Sequence, residues 1–170
     1  VFVSNHQSWL DIYSLCYLDA TLKFVAKSTI FWIPVAGWVM SAIGHIPLYR
    51  KEKGAGRAVL ARCEALVGRG VPVCFFAEGT RSKDGELGPF KMGGFRVAAA
   101  GDCDVVPIAI DGTRPMMPPG REFELGYGEP TVTVLPPISP ADAGHDAARL
   151  CDMARAAIAA ELTRSRSSAG

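Results

Sequence analysis

The feature that most constrains this chain is an uninterrupted apolar run at residues 71–76, followed after one alanine by Glu78, Gly79, Thr80, Arg81 and Ser82. A six-residue apolar run that stops at polar residues reads as a strand buried on both faces. Such strands belong to parallel sheets covered by helices. Residues 105–110 repeat the pattern, and Pro107 directs that strand toward an edge or a bulge. Shorter strand-like runs stand at residues 1–3 and 23–26. Between them the apolar spacing changes to three and four: Trp9, Ile12, Leu15 and Leu18; Val59, Cys63 and Leu66; Leu150, Ala154, Ile158 and Leu162. A further short helix is expected at residues 93–100. This alternation predicts an α/β fold, with a mixed, partly parallel sheet flanked by helices and ligands bound at the carboxyl ends of its strands. Residues 122–127 and 131–135 alternate in polarity and are predicted as solvent-facing strands of a hairpin about Gly128 and Glu129.

The chain of 170 residues fits one domain, expected over residues 1–164, with residues 165–170 as a disordered tail. It opens at Val1 directly into a strand, without a signal peptide, so elements preceding it are expected to be missing. Five widely spaced cysteines, none in a CxxC or zinc-type pair, read as reduced, buried residues of a cytosolic compartment. Net charge is +1, which excludes a nucleic-acid binder coated in charge. The distribution is uneven: residues 1–100 hold 12 Lys and Arg against 7 Asp and Glu, and residues 101–170 hold 6 against 10. A basic first half points to a local site for anions.

Residues 28–49 carry no charge. Their length would span a bilayer, but Pro34, Gly37, Gly44 and Pro47 break any continuous helix. Two short helices rich in Trp and Phe, flanked by Lys23, Lys27, Arg50 and Lys51, suit a membrane interface; the alternative is a pair of buried helices.

Chemistry concentrates at the strand exits. His6 and Asp11 lie five residues apart, about 500° around a regular helix, so they meet only if His6 precedes the helix and Asp11 sits on its first turn. Ser8 as N-cap, with Asp11 three residues on, gives that arrangement. A carboxylate on one imidazole nitrogen would leave the other as a general base; a capping Asp beside an incidental His is the plainer reading. After residue 76, Gly79 admits close approach of a ligand, Thr80 and Ser82 donate, and Arg81 offers a planar fork for phosphate. Glu78 would bind a hydroxyl or hold Arg81. His45 is read as structural and His145 as exposed.

Taken together, four segments in order resemble the glycerophospholipid acyltransferase family, typified by the 1-acylglycerol-3-phosphate acyltransferases. They are Asn5-His6 with Asp11 (the HX4D pattern), residues 44–50, residues 76–82 and residues 105–108. The resemblance runs over residues 1–135. It departs from the family pattern at Ala77, usually proline, and at Pro47, Leu48 and Tyr49. It implies His6 as general base and Asp11 as its partner at a strand-to-helix turn. It implies Arg50, Glu78, Gly79, Thr80 and Arg81 as ligands of the acceptor's glycerol phosphate, and Pro107 and Lys91 near the acyl donor. The implied reaction moves a fatty acyl group from an acyl-CoA or acyl-carrier-protein thioester to lysophosphatidate, making phosphatidate. It needs no cofactor or metal. The partners would be a lysophospholipid, the thioester donor and the cytoplasmic face of a membrane, with Lys23, Lys27, Lys51, Lys53 and Lys91 attracting headgroups or donor phosphates. Another lysolipid acceptor, a thioesterase or lysophospholipase, and a non-catalytic lipid-binding module are the alternatives.

Overall fold

In the computed structural model, which describes residues 1–18, 21–49 and 52–168, the long apolar run becomes β4 (Val73–Phe76), in the middle of the sheet. The described residues form six strands in the order β3-β2-β4-β1-β5-β6. The others are β1 (Phe2–Ser4), β2 (Lys23–Lys27), β3 (Ile46–Leu48), β5 (Val106–Asp111) and β6 (Thr131–Val134). β1 through β5 pair in parallel, and β6 joins β5 antiparallel. Ser4 stands opposite both Phe76 and Ile108, so the polar segments after β1 and β4 leave the sheet side by side.

Strand alternation sorts the core into two faces. Val3, Val73, Val105 and Ala109 point toward α3 (Ala55–Val67), α4 (Gly93–Ala100) and α6 (Ala147–Ser168). Phe24, Cys74, Ile108 and Ile110 point the other way, onto Leu15 of α1 (Leu10–Leu18), and a single turn, α5 (Thr113–Met116), follows β5. The α6 stripe of Leu150, Ala154, Ile158 and Leu162 is buried as its spacing requires. Pro107 lies one strand in from the edge, beside a bulge. Leu135 donates to the Pro107 carbonyl, whereas Val105 already pairs with Ile138, so one extra residue is inserted opposite the proline.

Three expectations change. Residues 122–127 form no strand: Arg121 and Glu124 donate into successive turns, and Gly126 donates to Met116, leaving β6 as an uncovered edge. The expected tail is helical through Ser168, because Arg166 binds the Glu86 carboxylate and the Gly85 carbonyl and so anchors the last turn of α6. Residues 169–170 lie outside the described residues. The charge-free stretch holds a 3₁₀ turn (Ser28–Trp32) and α2 (Ala36–Ala42), but the large side chains of these two helical pieces are not buried. Trp32 and Trp38 are 80% and 69% exposed, with Ile33, Val35, Val39 and Ile43 beside them, which removes the buried-helix alternative. No helix among the described residues is long and apolar enough to cross a membrane.

Candidate active site

The loop between β1 and α1 brings His6 and Asp11 together. Nδ1 of His6 lies 2.8 Å from Oδ2 of Asp11, which is fully buried at the start of α1. The same oxygen accepts the backbone N–H groups of Gln7 and Ser8 at 2.6 and 2.9 Å. The Ser8 hydroxyl in turn accepts the Leu10 N–H at 3.2 Å, so Ser8 and Asp11 cap the helix reciprocally. With donors already converging on Oδ2, the carboxylate acts as acceptor and Nδ1 of His6 carries the proton. Nε2 is left with its lone pair. The ring of Phe76 stacks on the imidazole at a centroid distance of 3.8 Å and fixes its plane.

The segment after β4 closes over this loop. Oε1 of Glu78 accepts the His6 backbone N–H at 2.9 Å and Oε2 accepts that of Gly88 at 2.9 Å. Ser82 N–H donates to the His6 carbonyl. Both oxygens of Glu78 therefore hold backbone, so its geometry is that of a clamp on the His6 loop, whereas the family resemblance implies an acceptor ligand. Arg81 pairs with Glu122 at 2.7 Å, and its hydrogen bond is the main reason the Glu122 carboxyl sits below the usual carboxylate range. Gly79 has φ 73, open to glycine at no cost, and the Lys91 side chain passes over it.

His6, Glu78, Gly79, Thr80, Arg81 and Lys91 all line one cleft of about 1340 Å³. That exceeds the usual range for a small-molecule pocket, roughly 300–1,000 Å³. Its floor is apolar, with Ile30, Phe24, Phe75, Leu60 and Phe95, and its rim holds Lys27, Arg57 and Arg96 as well. The rim is thus suited to anions and the floor to hydrocarbon. Pro107 is not among the lining residues; it is held within the sheet opposite Val3. Arg50 lies outside the described residues, as does Lys51. His45 is structural: buried, it accepts the Phe24 N–H at Nδ1, and burial first, then Lys23, lowers its pKa. His145 is exposed near Asp102.

Spacing did not reveal Arg57, Arg96, Glu122 or Thr113. The last is buried and donates to Oδ1 of Asp11 at 2.5 Å from 102 residues away. Its one legible signal was its place just past the end of β5, the strand beside β1.

A parallel-sheet domain with a His–Asp pair at the exit of a middle strand, facing a cleft both cationic and apolar, has well-matched counterparts. The chain belongs to the acyltransferase family: the family model described as Acyltransferase matches residues 1–111. Among curated relatives, the chloroplastic 1-acyl-sn-glycerol-3-phosphate acyltransferase BAT2 of Brassica napus is 49% identical over 162 residues, covering 95% of this chain and 46% of the relative. The chloroplastic LPAT1 enzyme of Arabidopsis thaliana is 47% identical, covering 95% and 44%. The crystal structure of the 1-acyl-sn-glycerophosphate acyltransferase PlsC from Thermotoga maritima superposes with a TM-score of 0.85 at 26% identity. It covers 97% of this chain and 65% of that one. The chain spans about half the length of the curated relatives it matches.

Proposed function

We propose that this chain carries the catalytic site of a 1-acylglycerol-3-phosphate O-acyltransferase. The observation that carries the reading is the His6 imidazole, oriented by buried Asp11 through Nδ1 and lining a cleft with cations on its rim and apolar side chains along its floor. The names of the relatives agree with it.

In this reading Nε2 of His6 removes the proton from the acceptor's free hydroxyl as that oxygen attacks the thioester carbonyl. The tetrahedral intermediate collapses with loss of thiolate, which takes the proton back from the imidazolium. The products are phosphatidate and a free thiol. A positioned base contributes about 10² to 10⁴ in rate, and holding the two reactants together ~7–11 kcal/mol of the barrier. Cys63 and Cys74 fit no covalent step, since burial pushes both thiols up to about 12 and neither lines the cleft. The transfer uses His6, Asp11 and the thioester co-substrate, and calls on no cofactor.

Arg81 receives the acceptor phosphate, which takes the place of Glu122, with Gly79 and Thr80 beside it; the family resemblance adds Arg50 as a further ligand of that phosphate. Lys27, Arg57, Lys91 and Arg96 receive the phosphates of a CoA or carrier-protein donor. The Trp32–Trp38 face rests on a lipid surface, on the side of a reducing compartment such as the cytoplasm, where five unpaired cysteines are at ease.

Mass spectrometry of products decides the matter. The full-length protein is incubated with lysophosphatidate and either acyl-CoA or acyl carrier protein thioester, beside His6→Ala. Phosphatidate formed only with His6 intact is the expected result, and the faster donor names the carrier. Free fatty acid would make the enzyme a hydrolase, and no turnover with any lysolipid would leave a binding module.

A further inference from the structure

The end of β5 and the segment that follows it stay out of the cleft, yet they hold the catalytic loop at three points. The Asn5 side chain donates to the Ile110 carbonyl at 2.7 Å and accepts the Ile110 N–H at 2.8 Å. The Ser8 hydroxyl donates to the Met117 carbonyl at 2.8 Å. The Thr113 hydroxyl donates to Oδ1 of Asp11. Asn5, Ser8, Asp11 and Thr113 are all buried. The start, the middle and the end of the loop from residue 5 to residue 11 are thereby tied to one stretch of eight residues.

We propose that Thr113 is a positioning residue for acyl transfer, acting on His6 through Asp11. It rests on the reading of His6 as the base. The argument concerns the two oxygens of one carboxylate. Oδ2 takes all its donors from its own loop: His6 Nδ1, Gln7 N–H and Ser8 N–H. Those bonds hold the loop to the carboxylate but do not tie either to the sheet. Oδ1 does so, because its donor comes from a different element, 102 residues on.

With the hydroxyl removed, Oδ1 becomes a buried acceptor without its donor. The carboxylate relieves that by rotating to share the donors on Oδ2. The bond to His6 Nδ1 then weakens and the imidazole turns. A misplacement of about 1 Å at a reacting atom is enough to cost about 10²-fold in rate. Gly112 makes the contact possible. At φ 79 it turns the chain sharply out of β5, and any side chain there would meet the Pro130 backbone at 3.2 Å. Thr113 is thus delivered beneath α1 rather than out toward solvent.

The segment around β5 accordingly serves the reaction as a brace. The fourth sequence segment of the family resemblance ends where this brace begins, and no residue from it touches the cleft.

The test compares Thr113→Val and Thr113→Ser in the full-length protein. Thr113→Val keeps the volume and removes the donor, while Thr113→Ser keeps the donor. The valine variant should lower kcat by about 10- to 100-fold, the range found when an outer partner of a functional ligand is lost. Both KM values should stay within about twofold, and the serine variant should recover most of kcat. A second readout is independent of turnover: the downfield proton resonance of His6 Nδ1–H, which should broaden or vanish with valine and persist with serine. A valine variant with parental kcat and an unchanged resonance would overturn the proposal. If the parent itself turns over no lysolipid, the acyltransferase reading fails, and the resonance still decides whether Thr113 orients His6. Should the valine protein not fold, Thr113→Cys, with only a weak donor, carries the same expectation for kcat and for the resonance.

Discussion

Replacing Glu78 by glutamine separates a clamp from a substrate ligand. The carboxylate accepts backbone N–H groups from His6 and Gly88, one on each oxygen. An amide has one oxygen and one NH₂, so in either orientation one backbone donor faces another donor. An unmade bond of this kind costs about 1–3 kcal/mol when buried, and about 2–4 °C in Tm per kcal/mol at this chain length. Glu78→Gln should therefore lower Tm by several degrees and reduce kcat, because the His6 backbone loses its anchor, while the KM for lysophosphatidate moves less than twofold. Thermal melts and steady-state kinetics on one preparation read both. A raised acceptor KM with parental Tm and kcat would return Glu78 to the role that the family resemblance implies. The difference between the two readings is physical. Sequence places a carboxylate at a strand exit; only the fold shows that two loops there have amides in need of an acceptor. His6 and Asp11 were legible because the helix cap fixes their relation locally. Thr113 was not, since its relation to Asp11 exists only once β5 lies against β1.

At the scale of elements, strands and helices whose apolar spacing matched a buried face came out as read, from β4 to the α6 stripe. Where alternation reported no burial it misled. Phe123 and Tyr127 alternate with polar residues like a strand, but both are fully exposed and the backbone between them turns. The 3₁₀ turn and α2 are joined by a contact that sequence does not announce. A Cβ on Gly37 would lie 2.1 Å from the Phe31 carbonyl oxygen, so the two backbones meet only because residue 37 has no side chain. Gly37→Ala should prise them apart. The extra atom has no rotamer to escape into, and overpacking of this kind costs about 1–3 kcal/mol. The loss should be local, because the face it disturbs lies outside the main clusters of the core. Hydrogen exchange should speed up at residues 30–43 and stay at parental rates in β1, β4 and β5. Uniform loss of protection would mean that this helical pair is part of the cooperative core.

At the scale of the molecule, the apolar floor of the cleft runs out past Ile30 and Ile33 to the face that carries Trp32, Val35, Trp38, Val39 and Ile43. A soluble monomer seldom exposes so continuous an apolar patch without a partner for it. Lys27, at the near edge of the same face, lines the cleft and supplies positive charge. In the proposed function a bilayer would satisfy both features and deliver hydrocarbon chains at the mouth of the cleft, and the acceptor would reach His6 without leaving the lipid surface. Indole rings are suited to that boundary, apolar in body with one N–H for the headgroup layer. Each ring that leaves water contributes on the order of 1 kcal/mol even when only partly buried. Replacing both Trp32 and Trp38 by serine should therefore weaken binding to vesicles of phosphatidylglycerol and phosphatidylcholine by about 10-fold or more. Turnover of a short-chain, water-soluble lysophosphatidate should stay near parental, since neither ring lines the cleft. Added salt should weaken what binding is left, as the lysines then carry a larger share of it. Co-sedimentation at two ionic strengths, beside assays with soluble and vesicle-borne acceptors, measures the three effects. Equal loss of activity on both acceptors would show that the tryptophans support the fold of the site. Undiminished vesicle binding would move the membrane contact to another face of the protein.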